Sequence, residues 1–285
     1  MSALTLVAAW TKARRALEAA GLDTPVLDAR LLVERAAGVD RLALITDPHR
    51  PVGPDAVAVL DGLIARRAGA REPMAYILGK REFRGLMFET TPAVLIPRPD
   101  TETLVDVGLR LIENRAAPRL LDIGTGTGAV GLSLLQAKPF ATGVLTDISP
   151  DAAAIASRNA DALALSDRAE IRRGSWAAGA DGPFDLIVSN PPYIPTQDIA
   201  GLEPDVRDHE PHLALDGGPD GLDAYRAILA EAPGLLAPGA GLAVEIGIGQ
   251  ADDVAALFAA AGLAEIAVTP DLAGRARVVS GRRIA

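Results

Sequence analysis

The fold of this chain is decided by one stretch of sequence, Leu120-Leu121-Asp122-Ile123-Gly124-Thr125-Gly126-Thr127-Gly128-Ala129-Val130-Gly131. Its apolar first part predicts a buried strand, and the residues from Ala129 to Lys138 predict a helix. Glycines at a strand-to-helix turn let the backbone approach a ligand closely, and the N-terminus of the following helix favours polar or anionic groups. The stretch therefore predicts an α/β sheet with a site for an adenosine-containing cofactor.

A carboxylate further along the chain supports this prediction. Asp147 lies nineteen residues after Gly128, at the end of the apolar run 143–146. In nucleotide-binding α/β sheets, an acid at this place hydrogen-bonds the ribose hydroxyls. The spacing Gly126-x-Gly128-x-x-Gly131 also satisfies the dinucleotide fingerprint, so this part alone leaves NAD and S-adenosylmethionine both open. Asp122 at the end of the first strand, together with a second turn later in the chain, favours S-adenosylmethionine.

That second turn is Asn190-Pro191-Pro192-Tyr193, which follows the apolar run 184–189. Two successive prolines supply no backbone N–H donors and fix φ near −65°, so they hold a rigid, extended turn. A planar group carrying an NH₂ can donate both hydrogens to carbonyl oxygens here while its plane lies on the tyrosine ring. A Pro-Pro pair also commonly does no more than rigidify a loop. The position of the Asn190–Tyr193 turn relative to the glycine loop favours the functional interpretation, methyl transfer to an amino or amide group.

The part of the chain from residue 119 onward alternates apolar segments with helical stretches. This alternation predicts a doubly wound, mostly parallel sheet. The last two segments are joined by Pro270–Arg275, which is too short for a crossover helix, so we expect them to pair antiparallel. The predicted fold is α/β, a seven-stranded Rossmann-like methyltransferase sheet within residues 96–285. Its expected strands are 119–123, 142–147, 169–172, 184–189, 241–247, 264–269 and 276–280.

In the first part of the chain, the apolar residues recur with a different spacing. Residues 1–72 predict a small helical bundle, with a broken apolar stripe through Leu4, Val7, Ala8 and Leu17 in its first helix. Thr24-Pro25 and Pro54-Asp55 are typical helix starts, and Gly38 is a plausible helix end. Residues 73–95 predict a β-hairpin linker whose strands contain Tyr76-Ile77-Leu78 and Leu86-Met87-Phe88.

Composition excludes several classes of protein. The chain has no cysteine, which excludes disulfides and thiolate chemistry, and its three histidines are too scattered for a metal site. No leader and no long apolar run are present, so we expect a cytoplasmic protein without membrane contact. We also expect a monomer. Residues 1–95 carry 13 Lys and Arg against 11 Asp and Glu, and residues 96–285 carry 15 against 26. This acidic balance argues against stable nucleic acid binding.

Further motifs occur along the chain in a fixed order. They are Pro73-x-x-Tyr76-Ile77-x-Gly79; Phe83, Gly85 and Phe88; Leu95-Ile96-Pro97-Arg98-Pro99-Asp100-Thr101-Glu102; Asp122-x-Gly124 to Gly128; Asp147; Trp176; Ser189 to Tyr193; Glu210-Pro211; Ala214-Leu215; Asp220-Gly221-Leu222; and Asp271-x-x-Gly274-Arg275-x-Arg277. With these motifs the chain resembles, from about residue 20 to its end, the release-factor glutamine N5-methyltransferases of the PrmC/HemK type. One departure is Ala276, where that family frequently has proline, and it affects no catalytic expectation.

The resemblance implies an acceptor and a set of roles. The acceptor is the glutamine amide of the Gly-Gly-Gln motif in class-1 peptide chain release factors, and the N-terminal helical domain helps to recognise that protein. Asn190, Pro191 and Tyr193 are expected to be catalytic, and with Pro192 they bind the acceptor. S-adenosyl-L-methionine, which leaves as S-adenosyl-L-homocysteine, is expected to contact Gly124, Thr125, Gly126, Thr127, Gly128, Asp147, Trp176 and Asn190, with Arg98 and Thr101 as further candidates at its methionine end.

Two other functions compete with this interpretation. A nucleic-acid amino-methyltransferase acting on adenine or guanine would use the Asn190–Tyr193 turn in the same way, to bind a planar NH₂ group. Such an enzyme needs a basic recognition domain, and the near-neutral first 95 residues do not provide one. A binding module that has lost catalysis is the other alternative. The intact glycine loop, Asp147 and Asn190 argue against it. An assay that offers labelled cofactor with release factor, DNA or ribosomal RNA would distinguish these three functions.

Overall fold

A computed structural model of the chain describes residues 4–177 and 180–284. It separates into two compact units. The smaller unit contains Met1–Gly79 and Pro204–His209, and the larger unit contains Lys80–Glu203 and Glu210–Ala285. The division falls at Gly79, whereas the sequence analysis placed it at residue 72, and the hairpin belongs to the larger unit.

The smaller unit is helical, as the periodicity indicates. Pro25 occupies the first turn of the second helix, and Gly38 ends that helix with φ 63°, a left-handed conformation that favours glycine. The fourth helix continues into a single π-helical turn, Ala65–Gly69. The helices of this unit are α1 Leu6–Ala19, α2 Pro25–Ala37, α3 Arg41–Thr46, α4 Pro54–Ile64, α5 Met74–Leu78 and, from much later in the chain, α9 Pro204–Arg207.

The predicted apolar stripe of α1 is partly wrong. The buried face carries Leu6, Ala9, Ala13 and Leu17, whereas Val7 is 37% exposed. These buried positions follow a three-to-four-residue spacing from Leu6, which places them on one side of the helix. They pack against α2 and α4 in a core of their own.

The predicted hairpin lies later in the chain than expected. Its strands are β1 Lys80–Phe83 and β2 Leu86–Glu89, paired antiparallel. Tyr76–Leu78, predicted as a strand, lies in helix α5. Pro73 precedes this helix, and Gly79 ends it at φ 73°. A three-residue apolar run carries too little periodicity to distinguish a helical turn from a strand.

The larger unit contains the predicted seven-stranded sheet. Its order is β5-β4-β3-β6-β7-β9-β8, and β9 is antiparallel to both of its neighbours while the other pairs are parallel. The antiparallel pairing of the last two strands is therefore confirmed. The strands are β3 Arg119–Ile123, β4 Thr142–Asp147, β5 Ala169–Arg173, β6 Phe184–Ser189, β7 Leu236–Glu245, β8 Leu263–Pro270 and β9 Ala276–Arg283.

Helices cover both faces of this sheet. Successive strand residues point to opposite faces, so Leu120 lies in one hydrophobic core and Leu121 in the other. The core on one face is shared with α6 Glu102–Leu111, α7 Ala129–Ala137 and α8 Pro150–Ala162. The core on the other face is shared with α10 Asp223–Leu235 and α11 Ala251–Ala260.

The helices of the described residues are short. α1 has 14 residues, whereas a membrane-spanning helix needs about 20 apolar ones. None of the described helices is long and apolar enough to cross a membrane. Within the same residues, no group of three or more His, Asp or Glu side chains is arranged to hold a metal ion.

Candidate active site

A cavity of about 410 Å³ lies at the carboxyl edge of the sheet in the larger unit. β4 and β6 flank β3 on opposite sides, which makes β3 the point where the strand order reverses. Ligands of open α/β sheets bind outside the carboxyl ends of the strands at such a point. Most of the predicted site residues line this cavity: Gly124, Thr125, Gly126, Thr127, Asp147, Trp176, Asn190 and Pro192.

The glycine loop is held by Asp122, the fourth residue of β3. Its Oδ2 accepts hydrogen bonds from Thr125 Oγ1 at 2.6 Å and from the Gly131 amide at 2.9 Å. Burial raises the pKa of Asp122 to about 6, although both hydrogen bonds oppose that shift. A Cβ atom at Gly131 would lie 2.9 Å from the same oxygen, so the close approach of α7 to β3 requires glycine.

Asp147 joins the end of β4 to the glycine loop. Its Oδ2 accepts from the Gly126 amide and its Oδ1 from the Ser149 amide, both at 2.9 Å. Burial raises the pKa of this carboxyl, and the amides of Ser149, Gly126 and Ile148 oppose the shift. A carboxylate has about four acceptor positions in total, so with three amides beside it about one remains available for a ligand hydroxyl.

Trp176 forms an apolar wall of the cavity. It adopts φ 49°, an uncommon conformation for a non-glycine residue. Its carbonyl accepts a hydrogen bond from Thr146 Oγ1 at 3.1 Å, and its ring packs partly buried against one of the sheet cores. Ile148 also lines the cavity and is 49% exposed. Two apolar side chains beside Asp147 suit a flat aromatic ring attached to a sugar.

Asn190 lines the cavity at the end of β6. Its Nδ2 donates a hydrogen bond to Thr101 Oγ1 at 3.3 Å. This bond uses the nitrogen end of the side-chain amide and leaves the oxygen end available as an acceptor. Arg98, which also lines the cavity, forms a salt bridge with the buried carboxylate of Glu210. The structure thus places both candidates for the methionine end, Arg98 and Thr101, on the cavity wall.

The backbone of the Asn190–Tyr193 turn is held from behind by Gln250. The Gln250 Nε2 donates to the carbonyl of Tyr193 at 3.0 Å and to that of Gly221 at 3.2 Å. Its Oε1 accepts from the Gly247 amide and from the hydroxyl of Tyr225. The side-chain amide is therefore fully used, and it fixes the end of the turn against two loops.

Three predicted site residues lie away from the cavity surface. Gly128, Pro191 and Tyr193 are not among the described residues that line it. Gly128 begins α7 at φ 84°. The ring of Tyr193 packs against a sheet core, and its hydroxyl donates to Glu245 Oε1 at 3.3 Å. Burial, followed by the charge of Glu245, raises the pKa of the Tyr193 phenol.

Sequence reasoning missed Glu245, the last residue of β7. Its side chain is buried at 1% exposure, and burial raises its pKa to about 7. A signal was present in the sequence, because a charged residue that ends a buried parallel strand is the same pattern that indicated Asp122 and Asp147. The Arg277 guanidinium beside it opposes the rise in pKa.

Comparisons with known proteins find relatives over nearly the whole length of the chain. The family model of the PrmC N-terminal domain matches residues 8–79, and that of the methyltransferase small domain matches residues 101–202. A release factor glutamine methyltransferase of Caulobacter vibrioides is 47% identical over 279 residues, which cover 98% of this chain and 96% of that protein. One from Rhodospirillum rubrum is 48% identical over 94% of this chain and 82% of that protein.

Solved structures show the same fold at low sequence identity. The catalytic domain of hMettl16, in complex with MAT2A 3′UTR hairpin 6, aligns with a TM-score of 0.59 over 81% of each chain. Its sequence identity is 17%. This likeness supports the sheet architecture and carries no statement about the substrate.

Proposed function

This chain belongs to the release factor glutamine methyltransferases, and on that premise we propose that it methylates N5 of the glutamine in the Gly-Gly-Gln motif of class-1 peptide chain release factors. It is an S-adenosylmethionine-dependent protein glutamine methyltransferase. We further propose that the modification modulates translation termination and that the reaction occurs in the cytoplasm.

One observation carries the proposal. Asn190 lines the same cavity as the glycine loop and Asp147, with its side-chain oxygen available as an acceptor. A cofactor held by the loop and an amide held by Asn190 would therefore meet within a single enclosure. The volume of about 410 Å³ lies in the usual range of about 300–1,000 Å³ for small-molecule sites.

The residues on the cofactor side fit S-adenosylmethionine. Asp147 offers carboxylate acceptors for the ribose hydroxyls, and Trp176 with Ile148 offers apolar surface for adenine. Gly124 and Gly126 have φ values of 68° and 56° and would hold the methionine part with their backbone. When bound, the cofactor supplies an electrophilic methyl group on a sulfonium.

The residues on the acceptor side suit a primary amide. An amide nitrogen is a poor nucleophile because its lone pair is delocalised into the carbonyl. The Asn190 side-chain oxygen would accept one of its N–H bonds, and the carbonyl of Pro191, a residue outside the cavity lining, would have to accept the other. Both acceptors would stabilise the positive charge that develops on nitrogen, in the manner of an oxyanion hole of reversed sign. No strong base is required, since an N-alkylated amide cation loses its proton readily. Pro192 and Tyr193 keep the turn in place.

A transfer assay tests the proposal. Purified enzyme is incubated with labelled S-adenosylmethionine and either a class-1 release factor or the same protein with alanine in place of the motif glutamine. We expect label in the first and none in the second. Equal labelling of both proteins would overturn the assignment of the acceptor.

A further inference from the structure

Gln250 occupies a helix position that glutamine does not usually fill. It is the N-cap residue of α11, a place that favours Ser, Thr, Asp or Asn because their short side chains accept hydrogen bonds from the first amides of the helix. The Gln250 side chain makes no such bond to the described residues of α11, and the residue is 9% exposed. Its polar atoms are therefore committed to another part of the fold.

The contacts of the Gln250 side chain fix the direction of its amide. Nε2 donates to the carbonyls of Tyr193 at 3.0 Å and Gly221 at 3.2 Å. Oε1 accepts from the Gly247 amide at 2.9 Å and from the Tyr225 hydroxyl at 3.2 Å. Two acceptors face the nitrogen end and two donors face the oxygen end, a pattern that only a primary amide satisfies in full.

Two glycines make room for this amide. A Cβ atom at Gly221 would lie 2.7 Å from Gln250 Nε2 and 2.5 Å from the Tyr193 carbonyl oxygen. A Cβ atom at Gly247 would lie 2.8 Å from Gln250 Oε1. Both loops reach the amide only because these positions carry no side chain, so the space around Gln250 is shaped to the group that it holds.

The Tyr193 carbonyl lies at the end of a segment with little freedom of its own. Pro191 and Pro192 fix φ at two successive residues. The segment leaves the end of β6, a strand in the middle of the sheet, and its far end is bound to Gln250. A stiff segment that is held at both ends passes a displacement of one end to the residues between, which include Asn190.

We infer that Gln250 is a positioning residue for methyl transfer, which holds the Tyr193 carbonyl and thereby sets where Asn190 and the Pro191 carbonyl meet the acceptor amide. The inference rests on the proposed function for the identity of the acceptor, whereas the contacts of Gln250 do not depend on it. Gln250 is not among the described residues that line the cavity, so it acts on the reaction through the turn.

Nuclear magnetic resonance tests the contacts of Gln250 without any acceptor. The chain has three glutamines, Gln136, Gln197 and Gln250, so nitrogen-15 glutamine labelling gives three side-chain amide pairs. The pair that disappears in Gln250→Glu is assigned to residue 250. We expect its hydrogens to exchange with water far more slowly than those of Gln136 and Gln197, which are exposed. A Gln250 pair that exchanges as fast as the exposed pairs would overturn the inference.

Gln250→Glu changes the chemistry of the side chain and keeps its length. An ionised carboxylate donates no hydrogen bond and places its charge against the carbonyls of Tyr193 and Gly221. A misplacement of about 1 Å can reduce a rate about 10²-fold, so at alkaline pH we expect kcat to fall by about 10- to 100-fold. The KM for S-adenosylmethionine should change little. Gln136→Glu, the same change at an exposed glutamine, is the matched control and should keep the parental kcat.

The pH dependence of Gln250→Glu distinguishes a lost donor from a general loss of packing. Burial disfavours the charged form, so the pKa of the carboxyl introduced at residue 250 is raised, and buried glutamates can reach about 8–9. Below that pKa the carboxyl carries a proton that it can donate to one of the two carbonyls. The ratio of variant to parental kcat should therefore rise as the pH falls from about 9 to about 6. A ratio that stays constant over this range would overturn the inference.

Gln250→Asn is the second variant, and it keeps the inference testable if Gln250→Glu fails to fold. Asparagine is among the best N-cap residues, so α11 should tolerate it. Its amide is one methylene shorter and cannot reach Tyr193 and Gly247 together. We expect a lower kcat, an unchanged KM for S-adenosylmethionine and, because the variant adds no titratable group, a constant ratio to the parental kcat across the same pH range. Parental kcat in folded Gln250→Asn would contradict the inference.

These readouts separate two failures. If the release factor is not the acceptor, the transfer assay fails while the slow exchange of the Gln250 amide persists. If Gln250 does not position the turn, its amide exchanges rapidly or its variants keep the parental kcat, while methylation of the release factor persists.

Discussion

At the scale of single residues, we propose that Asn190 carries the chemistry. Asn190→Ala removes one of the two acceptors aimed at the nucleophilic nitrogen. By analogy with the loss of one oxyanion-hole donor, turnover should fall about 10²–10³-fold, which corresponds to about 2.7–4 kcal/mol. Affinity for S-adenosylmethionine should change far less, because Asn190 serves the acceptor amide. Single-turnover kinetics and calorimetry measure the two quantities.

Asn190→Asp provides the matched control. It keeps an oxygen acceptor but loses the donor to Thr101. We expect its turnover to lie between those of the parent and Asn190→Ala. Equal turnover of Asn190→Ala and the parent on release factor would contradict the mechanism.

We propose that Asp147 is the residue that contributes most to cofactor affinity. Asp147→Ala removes the ribose acceptors, and a hydrogen bond to a charged group contributes about 1.5–3 kcal/mol, so affinity for S-adenosylmethionine should fall about tenfold or more. The same carboxylate also holds the Gly126 amide, so the loop loses a support as well. Asp147→Asn retains one acceptor oxygen and should bind better than Asp147→Ala. Calorimetry that finds parental affinity in a folded Asp147→Ala protein would remove the residue from the site.

At the scale of elements, the Asn190–Tyr193 turn depends on a close backbone contact. A Cβ atom at Gly217 would lie 2.8 Å from the Cα of Tyr193, and backbone atoms cannot move aside cheaply. Gly217→Ala should therefore displace the turn. A misplacement of about 1 Å can reduce a rate about 10²-fold, so we expect turnover to fall by about 10- to 100-fold.

Gly201→Ala is the matched control for this variant. A Cβ atom at Gly201 would meet no atom within 4 Å, and its φ is not in the left-handed region. Turnover of Gly201→Ala should equal that of the parent. If Gly217→Ala retains parental turnover and folds, the position of the turn is not set by this contact.

The elements also show what the sequence could predict. The strands that end on Ile123, Asp147 and Ser189 were predicted closely, because each is a buried apolar run bounded by turn residues. The hairpin was misplaced by several residues, since Tyr76–Leu78 is too short to reveal its helical period and only its context, between Pro73 and Gly79, makes it a turn of helix.

The site was predicted unevenly for a physical reason. Local motifs indicated Asn190 and the glycine loop, because their chemistry depends on neighbours in the sequence. The contact between Asn190 and Thr101 joins residues 89 positions apart, and the contact between Tyr193 and Glu245 joins residues 52 positions apart. Such contacts arise from the folding of the sheet, so no spacing in the sequence records them.

At the scale of the whole molecule, the smaller unit takes in a segment from far along the chain. Asp205 of α9 accepts from Arg67, which is 8% exposed, and from Arg71 at 3.1 Å. Arg67 also pairs with the buried Asp28 at 2.9 Å. The carboxylate of Asp205 is therefore shared by two arginines of the helical unit.

We propose that the helical unit recognises the release factor and contributes nothing to the chemistry. A chain that begins at Lys80, with Asp205→Asn to remove the unpaired carboxylate, should bind S-adenosylmethionine with parental affinity. It should methylate intact release factor more slowly while its rate on a short Gly-Gly-Gln peptide is kept. Circular dichroism and cofactor binding control for folding. If the shortened chain methylates intact release factor at the parental rate, the helical unit has only a structural role.

The most direct test of the account offers the enzyme its competing acceptors together. Release factor, DNA and ribosomal RNA are incubated in one mixture with the enzyme and labelled S-adenosylmethionine, and tandem mass spectrometry locates the transferred methyl group. We expect methylation on the side-chain nitrogen of the glutamine in the Gly-Gly-Gln motif, and we expect Asn190→Ala to abolish it. Label on adenine or guanine, with the release factor unmodified, would contradict it.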